Sequence, residues 1–187
     1  MNRPKVGVMG AADDALSSAE RSRLAGLAEE LGAALARRNC IVVTGATTGL
    51  PHLVSHAARE HGGLTVGISP AASREEHSDR YGLPGDGAEI LIYTGFGLKG
   101  RNVVNVRSAD VVVIFGGATG TLNEFTIAYD EGKVIGVLEG SGGIADHIQE
   151  VLAFCKRPAR ATLVFDKQPE ALIDRCLQVL ESRRGCP

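Results

Sequence analysis

Apolar β-branched runs alternate with helix-spaced stripes from one end of this chain to the other, and that alternation restricts the fold more than any other feature. The runs KVGVM, CIVVT, LTVGIS, EILIY, DVVVIF, KVIGVL and TLVF are each about a strand long and are bounded by Gly, Pro or Asp. Their near-continuous hydrophobicity implies burial on both faces. Between them Leu24, Leu27, Leu31 and Leu35 recur at helical spacing. Ile144, Ile148, Val151, Leu152 and Cys155 do the same, and so do Ile173, Cys176, Leu177 and Leu180. These read as core stripes. Parallel strands need crossovers, and those crossovers are right-handed. The pattern therefore predicts an α/β, Rossmann-like fold: a doubly wound, mostly parallel sheet of about seven strands with helices on both faces. Ligands of such sheets bind at the carboxyl ends of the strands.

At 187 residues the chain has the size of one core, so residues 1–187 are expected to form a single domain. Charged residues make up 22% and the net charge is −2, which argues against nucleic-acid binding driven by bulk charge. With 4% aromatics and no Trp, stacking platforms for single strands are scarce. The first apolar run is too short for a signal peptide, and none approaches the roughly 20 residues of a membrane helix. Cys40, Cys155, Cys176 and Cys186 form no CxxC and have no His at ligand spacing. They read as reduced thiols, and a cytoplasmic protein is expected. His52 and His56 stand at i, i+4, but no third ligand is in view, so surface or packing roles are expected and no metal. The polar stretch from Ala71 to Ala88 is too long for a simple connection. It is either a lid or a partly disordered loop.

Three strand ends look alike: VMGAADD, VVTGATTGL and VIFGGATGTLNE. All three would lie on one edge of the sheet. Glycines let the backbone approach a ligand, and each following helix offers free N–H groups and a positive dipole end to an anion. Three converging loops of this type predict a phosphate-bearing ligand. The candidate binding residues are Gly45, Thr47, Thr48 and Gly49 in the second loop, with Gly116, Gly117, Ala118, Thr119, Gly120 and Thr121 in the third. GFGLKG, Gly95 to Gly100, matches GxGxxG literally but follows the fourth strand. The next strand ends in Gly116, where an acid for a ribose hydroxyl would be wanted, so a standard NAD site is not expected. No GxxxxGK[ST] is present either. Arg101, preceded by GLKG, suggests an anion nest, whereas Arg107 reads as a surface ion pair. Glu124 falls in the first turn of the helix after GGATGT, where the dipole alone would favour an acid.

The segment GRNVVNVRSADVVVIFGGATGTLNE resembles the signature of the Lonely Guy (LOG) proteins and the wider SLOG superfamily. In that pattern an Arg opens a helix, AD begins a strand, and PGGxGTxxE follows. Arg101, Asp110, Gly117, Gly120, Thr121 and Glu124 fall in register with it. The looser VVTGATTGLPHLVSHAA and GGLTVGISP extend the likeness over residues from about 5 to 155. The resemblance implies a nucleotide-binding protein that hydrolyses the N-glycosidic bond of a nucleoside 5′-monophosphate to base and ribose 5-phosphate. Arg101 and Glu124 would be catalytic, and the GGATGT amides would hold the phosphate. Gly116 replaces Pro, Ala118 replaces Gly, and Asn102, counted with the binding residues, stands where cytokinin-producing members have Lys. These departures leave open a non-catalytic carrier of a nucleotide or of a pterin phosphate, as in the molybdenum-cofactor carriers of a related branch. Family members have also been labelled lysine decarboxylases, but no Lys here is placed as a pyridoxal-phosphate anchor. No cofactor is expected. The expected partners are a small-molecule phosphate and, from the resemblance alone, a homo-oligomer, dimer or higher, formed through the helices after the fourth and fifth strands. A DNA-uptake-related domain would need a basic groove that the net charge of −2 does not support.

Overall fold

The computed structural model describes residues 3–155 and 160–185. Each apolar run becomes a strand: β1 Lys5–Gly10, β2 Ile41–Thr44, β3 Leu64–Ser69, β4 Ile90–Tyr93, β5 Val111–Phe115, β6 Val134–Leu138 and β7 Thr162–Asp166. They form one seven-stranded sheet in the order β4-β3-β2-β1-β5-β6-β7, and every pairing is parallel. The helices are α1 Ser18–Arg37, α2 Leu50–Glu60, α3 Gly97–Ser108, α4 Thr119–Asp130, α5 Ile148–Cys155 and α6 Pro169–Arg184.

Strand side chains alternate between two cores, as a period of two requires. Val6, Val8, Val111, Val113 and Phe115 face the layer of α1, α2 and α6. Met9, Val112 and Ile114 face Val106 of α3, Phe125 of α4 and Ile148 of α5. The central strands β5 and β6 are buried throughout, whereas the edge strand β4 leaves Ile90 and Ile92 46% exposed. The helix opening α1 is fixed by a reciprocal cap: Ser17 Oγ accepts the Glu20 N–H, and the Glu20 carboxylate accepts the Ser17 N–H.

Two expectations are corrected. The stripe from Ile144 to Cys155 is not one core helix. Gly143–His147 winds as a tighter 3-10 turn before α5, because the Ile144 and Ala145 N–H groups are drawn to the Gly117 and Gly116 carbonyls. Cys155, at the end of that stripe, is exposed. The polar stretch from Ala71 to Ala88 is ordered, contains a five-residue π turn at Glu76–Arg80, and supplies no residue to the main cavity. It is pinned by buried His77, whose Nε2–H donates to the Pro84 carbonyl (3.2 Å) while Nδ1 accepts from Ser69 Oγ (2.8 Å). The carbonyl can only accept, so this tautomer follows. Ser55 Oγ and Arg59 Nη1 then donate to the Gly87 and Asp86 carbonyls, each at 2.6 Å.

Cys40 and Cys176 are buried free thiols, pushed by desolvation to about 11 and about 12, and Cys186 lies outside the described residues. Among the described residues no helix is long and apolar enough to cross a membrane. Arg107 makes the expected surface pair with Glu131 at 2.7 Å.

Helices α1 and α2 meet at Gly32, where a Cβ would stand 2.6 Å from both the Ala57 Cβ and the Val54 carbonyl oxygen. Gly26, on the same helix, is exposed with nothing within 4 Å. Gly26→Ala should therefore raise stability by roughly 0.5–1 kcal/mol through helix propensity. Gly32→Ala should lower it, because the overpacking of about 1–3 kcal/mol exceeds that gain. Urea unfolding of the two variants, read side by side, checks the opposite signs.

Candidate functional site

Strand order reverses direction between β1 and β5, and a cavity of about 260 Å³ opens there at the carboxyl edge of the sheet. Its walls come from the three glycine loops together with the start of α3. The loop after β1 contributes Gly10, Ala11, Ala12 and Asp14; the loop after β2 contributes Gly45 and Thr47. The loop after β5 and the first turn of α4 contribute Ala118, Thr119, Gly120 and Thr121, and Glu124 follows from the second turn, not from the first as the sequence suggested. Leu98, Lys99, Arg101 and Asn102 complete the lining from α3. The sequence-based set thus converges for Gly45, Thr47, Asn102, Ala118, Thr119, Gly120, Thr121, Arg101 and Glu124.

Thr48, Gly49, Gly116 and Gly117 do not line the cavity; they shape the loops behind it. Thr48 Oγ1 accepts the Asp13 N–H at 3.2 Å, and Gly49, with φ 78°, caps α2. Gly116 spends its N–H on Ser141 Oγ at 2.9 Å. Gly117 has φ 98°, and a Cβ there would collide with the Thr121 side chain, so only glycine lets the chain double back into α4. The first N–H groups of α4 have no partner within the helix, and they face the cavity with the positive end of its dipole.

Arg101 and Glu124 form the floor. Arg101 Nη1 lies 3.3 Å from Glu124 Oε1, with the two side chains 7% and 8% exposed. The guanidinium is seated against the backbone of Gly45, where any Cβ would strike Nη1. Asn105 is fully buried one helical turn after Arg101, and its Nδ2 donates to the same Oε1 at 3.0 Å while lying 3.1 Å from Met9 Sδ. Oε1 is thus doubly engaged, by Arg101 and by Asn105, and Glu124 lines the cavity. Burial pushes the Glu124 carboxyl above its usual value, an effect opposed first by Arg101 and then by the Asn105 hydrogen bond. Burial also lowers the Arg101 pKa, but a guanidinium stays cationic. Beside the pair, Asn102 Nδ2 donates to Asn123 Oδ1 at 2.8 Å and ties α3 to α4.

At GLKG the Gly97 N–H is taken by the Pro70 carbonyl at 3.0 Å, and Arg101 turns inward to Glu124, while Leu98 and Lys99 line the cavity. Sequence reasoning gave no role to Asn105, Asp14 or Lys99. For Asn105 the signal was its i+4 spacing from Arg101, which places both on one helix face. His52 and His56 have ring centroids 6.2 Å apart, and the described residues hold no group of three or more His, Cys, Asp or Glu suited to a metal.

The description of the SLOG cluster4 family matches residues 3–173. The chain belongs to the SLOG cluster4 family. An uncharacterized protein of Archaeoglobus fulgidus is 31% identical over 139 residues, covering 74% of this chain and 82% of that protein. The X-ray structure of TM1055 superposes with a TM-score of 0.81 at 31% identity, covering 94% of this chain and 99% of that one. The molybdenum cofactor binding protein of Rippkaea orientalis superposes with a TM-score of 0.74 at 27% identity, covering 98% and 99%. This SLOG chain thus shares its whole doubly wound architecture with solved relatives.

Arg101→Met keeps side-chain length but leaves the Glu124 carboxylate buried without its counter-charge, at an expected cost of about 3–5 kcal/mol. The loss also raises the Glu124 pKa further in the folded state. Folded protein then holds more protons than unfolded chain between the ordinary and the raised value, so the variant's stability falls as pH rises through that window. Urea unfolding should show the deficit large at about pH 8 and reduced at about pH 5. A deficit independent of pH would place the damage in packing instead.

Proposed function

We propose that this chain binds a nucleotide-like phosphate ester in the β1/β5 cavity and acts on nucleoside 5′-monophosphates as a phosphoribohydrolase. One observation carries this reading: a buried carboxylate, Glu124, lines the cavity one helical turn beyond the free amides that α4 offers to an anion. The phosphate fits at the Thr119, Gly120 and Thr121 amides, with the Lys99 ammonium as a second positive group. The ribose then lies over Glu124. As the C1′–N bond breaks, its electron pair leaves with the base, and positive charge develops on the sugar. A carboxylate fixed beside that charge stabilises the transition state more than the neutral ground state. Water adds to C1′, the base gains a proton, and the products are free base and ribose 5-phosphate. Arg101 and Asn105 act through Glu124 by keeping it ionised and oriented.

A second reading, a carrier that holds a pterin phosphate without chemistry, is favoured by the likeness to the Rippkaea orientalis molybdenum cofactor binding protein over nearly the full length of both chains. Assembly as a homo-oligomer in the cytoplasm accompanies either reading. The 66% exposed Phe96 and 49% exposed Leu98, one of them in the cavity wall, support assembly at this face.

Chromatographic detection of base released from AMP, GMP, CMP and UMP tests the first reading. Glu124→Ala should reduce release by about 10²-fold or more while nucleotide binding persists. No release by folded wild-type protein, together with thermal stabilisation by a nucleotide or pterin phosphate, would overturn the hydrolase and leave the carrier.

A further inference from the structure

The lining of the cavity contains a second acid, and neither the phosphate nor the Arg101–Glu124 pair has any use for it. Asp14 follows β1 in the short 3-10 turn Asp13–Ala15. Its neighbour Asp13 is spent on structure: the carboxylate pairs with Arg21, and the N–H donates to Thr48 Oγ1. Asp14 has no hydrogen bond or ion pair among the described residues; it is exposed and is one of the residues that line the cavity. A free negative charge in a cavity built to receive an anion weakens that anion's binding, unless the ligand itself brings N–H donors to it.

The layout of the site limits which part of the ligand meets Asp14. The phosphate end is fixed by α4, which follows β5; Asp14 and Thr47 belong to the loops of β1 and β2 on the other side of the switch point. A ligand lying across the sheet edge, phosphate at α4 and sugar over Glu124, therefore carries its ring toward Asp14. Ionised carboxylates are acceptors only, with two parallel oxygens. Their best planar partner is a ring edge with two adjacent N–H donors. Adenine and cytosine edges pair one donor with one acceptor, and uracil has a single N–H between two carbonyls. A 2-amino-4-oxo pyrimidine edge has the required N–H and NH₂ side by side. Guanine and pterin rings share that edge.

We infer that Asp14 is the ring-recognition residue of this site, and that the ligand is a phosphate ester bearing a 2-amino-4-oxo pyrimidine edge, as in a guanine nucleotide or a pterin phosphate. The inference rests on the binding reading given above and holds for either chemistry proposed there. It also joins the two readings, since nucleotide and pterin phosphate would present the same donors to the same carboxylate.

Titration calorimetry with GMP, IMP, AMP and 6-hydroxymethylpterin monophosphate, against wild type, Asp14→Asn and Asp14→Ala, tests it. Asp14 has no structural partner, so both variants should unfold at the wild-type temperature. Wild type should bind GMP or the pterin phosphate at least about tenfold tighter than AMP, with IMP, which has one of the two donors, between them. Both variants should lose that preference. The stronger of the GMP and pterin arms identifies the source of the ring. Equal affinity for GMP and AMP, or a preference that survives in both variants, would overturn the assignment while leaving a phosphate-binding site in place. Binding of none of the four compounds would overturn the phosphate-ester reading and this inference with it.

Discussion

The pairing of β1 with β5 at the centre of the sheet decides what the rest of the molecule can do. The chain leaves β1 for α1 on one face and leaves β5 for α4 on the other, so the two connections diverge and no loop crosses the gap between them. The crevice is a consequence of topology and needs no specialised lid. Into it the neighbouring strands bring only short, glycine-rich turns, and α3 and α4 bring their first turns side by side. Arg101 and Glu124 meet because the two helices lie on the same face of the sheet.

That meeting is costly. A buried Arg–Glu pair recovers little net stability once both ions have left water, and this one leaves Arg101 Nε and Asn105 Oδ1 buried without partners. The neighbourhood is therefore under-satisfied in hydrogen bonds, and it borders the cavity at the switch point. The well-packed strands and the extensive contact of α1 with α2 allow the fold to tolerate that deficit.

Much of this was legible in the sequence, for identifiable reasons. Strands buried on both faces cannot avoid writing long apolar runs, so all seven could be read, and the third glycine loop with Arg101 and Glu124 stands in a contiguous segment. The features that were not legible have a common cause: they depend on which backbone groups meet across distant segments. The Gly97 amide is claimed by Pro70, and the Ile144 amide by Gly117, neither of which local spacing reveals. His77 reads as one more polar residue in a polar stretch, yet Ser69 and Pro84 make it the pin of that stretch. The i+4 spacing places Asn105 on the face of Arg101, but its role depends on the neighbour across the interface being Glu124, which the spacing does not reveal.

The seat of the Arg101 guanidinium against Gly45 links two positions that lie far apart in the chain. Position 45 looks like an ordinary turn glycine, but its lack of a side chain is enforced from position 101. The two sites are epistatic. An alanine at 45 is disruptive while the arginine is present and becomes acceptable once the cation is gone, so the order in which a lineage takes the two changes matters. Homologues that have abandoned Arg101 are where that glycine is free to drift.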